Sequence, residues 1–460
     1  MKKFRFISLF LWVSAVLIAP VAQAGTNQAL VELLKALEVN GTITRDVYEL
    51  VIKVAEEGHT VTAPAVAKEE VKEIVQQEIK VAAKEQAKNQ ATITMKDKFE
   101  VKSADGDFSL RMGGRIQADA AVYSEDTRRQ NDGSEMRRAR LFVQGKLWDA
   151  WKYKFQYDFV STGSSGIADA YVSYDGLPWK IKAGHFKQPF SLQNMTSSKY
   201  ITFTERGLPH LFTPSRAIGI GVGSSGNNWS FNTGVFGEGI DGASGDEDEG
   251  FAVGGRATYA PLLSKQQHMH LGGSISYRHS GSDDAISFSE RPESHVTNAR
   301  EVSTGSINAE SNLRTVAEAA YTYGPFSLQS EYYYVDIDRD SATLADLDFS
   351  GYYVESSLFL TDDMRNYSGS KGAYGKIKPH SIVGKGGIGA WQIAMRFSSV
   401  DLNDADITGG DAQNFSVGLN WFATNSIRMS ANYVKVLDVE GGAGDGDEPE
   451  AFQVRGQVEF

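Results

Sequence analysis

Arg137, Arg138 and Arg140 crowd one short stretch of this chain. A guanidinium suits an oxyanion because its planar fork donates to two oxygens at once and stays charged at any biological pH. Whether such residues act together depends on which way they point. From about residue 108 the chain alternates apolar and polar residues with the period of an extended strand. Parity then sends Arg138, Arg140, Lys146, Lys152, Lys154, Lys180 and Lys182 to the polar face, with Arg115, Arg256, Arg278, Arg396, Arg428 and Arg455. Asp119, Asp158, Glu318, Glu331 and Glu355 share that face. Bases outnumber acids there, although the whole chain carries a formal charge of −12. A basic face turned to water favours anions by long-range attraction and by direct hydrogen bonds. For each residue the competing reading is a salt bridge to a neighbour.

Other chemistries are weakly represented. The histidines, at 59, 185, 210, 268, 270, 279, 295 and 380, stand in no nucleophile context. His268 and His270 are two apart on a strand and could ligate a metal, but no cysteine exists and no third spaced ligand is evident, so they read as a strand-end polar pair. The glycines of the run Gly219-Ile220-Gly221 do not open a helix and are no phosphate loop. The expectation is no catalytic residue, no metal and no cofactor. The acidic balance argues against nucleic acid.

The alternation itself is explicit. Phe452, Val454, Gly456, Val458 and Phe460 alternate with Gln453, Arg455, Gln457 and Glu459. Tyr153, Phe155, Tyr157 and Phe159 alternate with Lys152, Lys154, Gln156 and Asp158, and Trp391, Ile393, Met395 and Phe397 follow the same rule. About 16 such segments, each near the 9–11 residues a tilted strand needs to cross a bilayer, are separated by Gly, Asn or Asp turns. A soluble sandwich also alternates, but its outer face would not carry charge-free aromatic rows so often. The expected fold is all-β: a transmembrane antiparallel barrel of about 16 strands over residues 108–460, closed because lipid tolerates no free strand edge.

Short connections such as Asp149-Ala150, Gly176-Leu177-Pro178 and Asn425 are expected at the periplasmic end, and longer ones at the outer end. The acidic, Gly-rich tracts 240–250 and 438–449 read as solvated mobile loops rather than divalent-cation sites. Residues 188–216 are different: rich in Phe, Pro and Thr, with few charges. So many apolar anchors argue that this segment folds into the barrel and narrows it, the alternative being packing against a neighbouring subunit. Lys187 and Arg216 flank it and would complete the constriction.

The N-terminal part reads otherwise. Lys2, Lys3 and Arg5 precede the apolar run Ile7 to Ile18, and Ala22-Gln23-Ala24 closes a secretory signal peptide over 1–24. Its loss takes three positive charges, leaving −15 from −12. Residues 25–95 are expected to form a periplasmic helical extension. Leu30, Leu33, Leu34 and Leu37 lie at helical spacing, Arg45 to Glu57 follow as a second helix, and Lys68 to Lys88 carry an imperfect coiled-coil seam. The mean hydropathy of −0.32 does not oppose a barrel, whose lumen and loops are polar.

At the level of longer stretches the sequence resembles the phosphate-selective porin O/P family. The stretches that carry this include MRRARLFVQGKLWDAWKYKFQYDF (136–159), AGHFKQPFSLQNMTSSKYITFTERGL (183–208), GYYVESSLFLTDDMRNY (351–367) and VGLNWFATNSIRMSANYVKV (417–436). The resemblance implies a 16-stranded barrel in the outer membrane of a Gram-negative bacterium. It also implies a homotrimer, and passage of phosphate or other small anions. Arg138 and Arg140 match the position of the family's narrow anion site, with Arg137 near a strand end. The terminal Phe460 resembles the signal that such barrels present to their assembly machinery, and lipopolysaccharide is an implied neighbour. One departure stands out: around 297–315 only Arg300 and Arg314 occur, not an arginine at every second position. The expectation is therefore a porin with anion preference. The alternatives are a general porin without phosphate selectivity, and a structural or enzymatic barrel.

Overall fold

Strand β1, Ser109–Ser124, shows how the alternation becomes a wall. Arg115, Gln117, Asp119 and Ala121 are buried, while Ile116 and Val122 between them are exposed. Successive side chains of a strand leave opposite faces, so one sheet presents a polar interior and an apolar exterior. The computed structural model describes residues 28–39, 45–57, 91–96, 98–161, 166–240, 248–281 and 285–460. The signal peptide over 1–24 and the Lys68 to Lys88 seam lie outside them.

Fifteen more strands follow: β2 Gly133–Leu147, β3 Trp151–Asp158, β4 Ile167–Tyr174, β5 Lys180–Lys187, β6 Arg216–Ser225, β7 Trp229–Phe236, β8 Phe251–Tyr259, β9 Gln267–His279, β10 Ile307–Tyr323, β11 Phe326–Arg339, β12 Leu347–Phe359, β13 Ala390–Asp404, β14 Ile407–Phe422, β15 Ile427–Glu440 and β16 Glu450–Glu459. Each pairs antiparallel with the next, and β16 returns to β1 in the register Glu450↔Ser124 to Glu459↔Arg115. The sheet is thus a closed ring of 16 strands. Below the end of β16, β1 pairs instead with Phe99–Lys102, itself paired with Thr92–Thr94. A separate N-terminal unit contains helices α1, Gln28–Val39, and α2, Arg45–Glu57.

Up-and-down order places the connections after odd-numbered strands at one end and the rest at the other. The second end carries the brief turns 148–150, 175–179, 226–228, 324–325 and 423–426, and β16 finishes there. Two connections break the expected division into short and long ends: residues 405–406 alone join β13 to β14 at the loop end, and residues 360–389 join β12 to β13 at the turn end. Residues 360–389 fold back into the barrel. The Tyr367 hydroxyl meets His270 Nδ1 at 2.6 Å, Arg256 donates to the Gly372 carbonyl at 2.7 Å, and Lys376 pairs with Glu459 at 2.9 Å.

The interior is also less uniformly polar than parity predicts. On β11 to β15 the inward row near the loop end is apolar: Val335, Ile337, Leu347, Phe349, Val400, Leu402 and Val436 are buried. They form one core with Phe190, Leu208 and Phe212 from the 188–215 connection and Phe288 from the 280–306 connection. Each such Leu or Phe contributes roughly 1.5–3 kcal/mol when fully buried, so these two connections are packed against that half of the barrel. The tract 438–449 differs from expectation as well. Asp438 to Glu440 complete β15, and the buried Asp447 accepts hydrogen bonds from the Thr127 and Arg128 amides.

Candidate functional site

The 188–215 connection is held inside by donors and acceptors spaced along the wall. Ser191 caps the short helix α3, Leu192–Met195, and the Glu331 carboxylate accepts the Leu192 and Gln193 amides at 2.7 and 3.0 Å. A carboxylate at a helix start satisfies amides that have no partner within the helix. Further on, Arg428 donates to the carbonyls of Ile201 and Thr202 at 2.7 and 2.5 Å, and Arg396 to that of Glu205 at 3.0 Å. Arg314 donates to the Phe212 carbonyl at 3.1 Å. Several lumen arginines are thereby consumed in holding backbone, which satisfies carbonyls that would otherwise be buried without a partner.

Glu205 is the charged anchor. Arg137 grips it with two bonds of 2.9 and 3.1 Å, Arg455 reaches it at 2.7 Å, and Arg138 lies 3.9 Å away. Burial alone would raise its carboxyl, but the guanidiniums of Arg137, Arg455 and Arg138 hold it well below the usual range. Arg137 reaches the lumen through a local irregularity. Gln117 pairs with Arg138 but Ala118 with Met136, so Arg137 is an extra residue in β2. A bulge of this kind turns two successive side chains to one face. Strict parity would have sent Arg137 outward, and it sits inside β2 rather than at a strand end. Arg138 is buried against Gln117 at 3.1 Å.

A second group of cations is arranged differently. Arg115, Arg140 and Asp158 stand in register across β1, β2 and β3. Arg140 meets Asp158 through Nε at 2.5 Å, Arg216 meets Asp169 through Nε at 3.0 Å, and Arg115 reaches Ser197 through Nη1 at 3.3 Å. Among the described residues the remaining terminal nitrogens of these three side chains have no hydrogen-bond partner. Arg216, Arg140 and Arg206 lie within electrostatic reach of Arg115, and Lys187 is close to Arg206 and Arg216. Lys187 donates to the Asn194 carbonyl and Arg206 to those of Gln193 and Thr196. Arg140 and Arg216 keep 16% and 23% of their side-chain surface accessible, against 1% for Arg256 and Arg396. Exposure separates these two from the arginines that serve as internal fasteners.

Toward the turn end the basic wall continues. Lys154 shares Asp169 at 2.6 Å. Lys146, Lys152 and Lys182 lie in one row, Lys146 opposite Lys152 and Lys152 and Lys182 each opposite Ser173. Lys146 pairs with Asp149 at 2.7 Å and Lys152 with Asp175, while Lys182 sits 4.7 Å from the Tyr171 ring centroid. Lys180 is exposed at the start of β5. Arg115, which parity placed on the polar face, belongs to this constellation together with Arg206 and Asp169, which the sequence reading did not name. Arg115 had parity to recommend it; Arg206 lies in an irregular segment where parity has no meaning. His268 and His270 form a latch rather than a ligand pair: His268 stacks on Tyr367, and His270 bridges Tyr367 and Glu318.

Residues 285–306 dock on the inner face of β13 and β14. Glu293 accepts from Arg396, Ser398, Ser416 and the Leu208 amide. Burial pushes Glu290 up to about 7 and Glu301 up to about 8, so near neutrality Glu301 is mostly and Glu290 about half protonated when docked, and both are ionised when released. A carboxyl with a raised folded pKa contributes its stability below its ordinary value of 4.5 and loses it as pH climbs through the folded value. Docking of 285–306 should weaken progressively from about pH 5 to about pH 8 and change little above that. Limited proteolysis of that segment should therefore be faster at about pH 9 than at about pH 5, after correction for the protease's own pH profile. Equal rates would contradict the assignment.

The family described as phosphate-selective porin O and P matches residues 110–460. Porin O of Pseudomonas aeruginosa is 28% identical over 415 residues, covering 80% of this chain and 93% of that protein. An uncharacterized protein of Caulobacter vibrioides is 30% identical over 351 residues, 73% of this chain and 70% of its own length. The solved anion-selective porin from Comamonas acidovorans shares the fold at TM-score 0.50 and 15% identity, over 77% of this chain and 100% of that one.

Proposed function

We propose how this chain, which belongs to the phosphate-selective porin O and P family, discriminates among solutes as an outer-membrane channel. Small anions such as phosphate enter from the loop end and are drawn to Arg115, Arg140 and Arg216. The observation that carries this is that Arg140 and Arg216 are partly accessible and, among the described residues, their terminal nitrogens have no hydrogen-bond partner, while the buried Arg115 beside them keeps one terminal nitrogen without a partner. Such forks can replace part of an oxyanion's hydration shell. Lys187 and Arg206 add field. Asp158 and Asp169 damp it, which lets a bound anion leave, since conduction needs binding weak enough to release. The row Lys154, Lys182, Lys152, Lys146 and Lys180 then leads the anion to the periplasm.

In this reading Arg137 and Arg138 hold the 188–215 constriction in place through Glu205 and do not touch the solute. Residues 360–389 narrow the passage from the periplasmic end. Family membership also supports assembly as a homotrimer. The function is tested by inserting the purified protein in a planar bilayer and adding phosphate to chloride. Phosphate should reduce chloride current at concentrations where sulfonate buffers do not, and equal behaviour would reduce the channel to a general anion porin. Replacing 365–380 by a short Gly-Ser link should raise single-channel conductance. Unchanged conductance would remove that segment from the pathway.

A further inference from the structure

We propose that the seam at the turn end, where β16 stops and β1 runs on, binds an anionic glycerophospholipid of the periplasmic leaflet. β16 ends opposite Arg115, so β1 below that point is bordered by Phe99–Lys102 instead. Phe460 closes the last rung, its carbonyl accepting the Gly114 amide at 2.9 Å. Between Phe460 and the tip that precedes Phe99 lies a cavity of about 980 Å³, at the upper end of small-molecule sites.

One wall is apolar and faces the bilayer. Leu141, Val143, Phe155 and Tyr157 line it from the outer face of β2 and β3, with Phe460 beside them. Leu141, Phe155 and Phe460 are all exposed. Gly113 lines the cavity too, and at its neighbour Gly114 a Cβ would lie 2.8 Å from the Phe460 ring and 3.0 Å from Leu141. The other wall is cationic. Lys96, Lys98, Arg111, Lys376 and Lys378 line the same cavity, with no carboxylate among the described lining residues. Lys98 and Lys376 are partly neutralised by Glu100 and Glu459. Lys96 and Lys378 have no ion pair among the described residues, and Arg111 Nε is buried without a partner.

An inorganic anion would leave the apolar wall empty, and a neutral lipid would leave the cations unused. A phosphodiester on an acyl-bearing glycerol satisfies both walls, and Asn425 and Ser426 on the rim suit its hydroxyl and ester oxygens. Lysine stems lie along apolar surface while their heads stay at the interface, and each adds to the attraction of an anionic lipid. A second copy offering the same patch would bring like charges together. Lys96, Lys98, Leu141 and Phe155 take no part in the anion pathway, so their role in lipid binding stands or falls independently of the function proposed above.

The test uses the full chain reconstituted in nanodiscs of phosphatidylethanolamine with phosphatidylglycerol, extracted gently, with retained lipid identified by native mass spectrometry. Phosphatidylglycerol should be retained over phosphatidylethanolamine by at least about fivefold. In the combined Lys96→Ala, Lys98→Ala variant that preference should disappear while anion conductance, the readout of an intact barrel, persists. Equal retention of the two lipids by the unmodified protein, or a preference unchanged in the variant, would overturn the proposal. The chain has no cysteine, so Leu141→Cys gives a second readout. A spin-labelled lipid should quench a fluorophore attached there, whereas efficient oxidative cross-linking between copies would assign the groove to a second subunit and also overturn the proposal.

Discussion

Replacing Arg140 and Arg216 together by alanine should lower the anion-to-cation permeability ratio by about tenfold or more. The magnitude follows from electrostatics: a unit charge about 4 Å from a permeating ion is worth about 1 kcal/mol in bulk water and about 4 kcal/mol at the effective dielectric of a protein surface. The double variant removes two such charges and also takes the arginine from Asp158 and leaves Asp169 to Lys154 alone, so both carboxylates would attract cations more strongly. The zero-current potential in a salt gradient should move toward the cation limit. Arg140→Lys with Arg216→Lys separates charge from shape. It should keep the anion preference but weaken block by phosphate, because an ammonium lacks the fork. A double alanine variant as anion-selective as the parent would remove these residues from the pathway.

Glu205→Ala should both loosen the barrel's interior and raise its conductance. The carboxylate is only 16% accessible and is shared by Arg137, Arg138 and Arg455. Arg455 keeps Asp119, with bonds of 2.7 and 2.6 Å, but Arg137 and Arg138 would lose the acid with which they form ion pairs among the described residues. Removing one partner of a buried ion cluster typically costs about 3–5 kcal/mol, because the remaining charges stay buried without compensation. Urea unfolding in detergent micelles should show that loss. The freed 188–215 segment should then increase single-channel conductance and its noise. Glu205→Gln should fall between the two, since it retains hydrogen bonding but not charge. Parent-like stability and conductance in Glu205→Ala would show that the segment is held by its apolar anchors alone.

The barrel was legible because its signal repeats. Rows such as Tyr153 to Phe159 and Phe452 to Phe460 need no tertiary information to declare an apolar outer face, and the closed ring of 16 strands follows the predicted count. Parity also placed Arg256, Arg396, Arg428 and Arg455 correctly on the inner face. What parity cannot give is the partner. Arg428 and Arg396 look identical to Arg140 in the sequence, yet their guanidiniums end on loop carbonyls and theirs is a fastening role. Nor can it foresee a bulge, which is what turns Arg137 to the inner face.

The 360–389 connection was missed for a related reason. Its Gly, Ser and Lys content is that of a solvated loop, and only Tyr367, Tyr374 and Ile377, all buried, mark it as an internal element. The polar-lumen rule failed on β11 to β15 because it assumes water inside the barrel. Two connections supply apolar side chains there, so Val335, Phe349 and Leu402 face protein. The same packing leaves the basic face of β1 to β6 as the lining of what remains.

The central claim is that this remaining passage selects for anions. The zero-current potential of the unmodified protein in a planar bilayer, measured across a potassium chloride gradient, tests it most directly. A potential of the sign set by chloride, reduced in the Arg140→Ala, Arg216→Ala variant, is the predicted result. A potential of the sign set by potassium in the unmodified protein would contradict it.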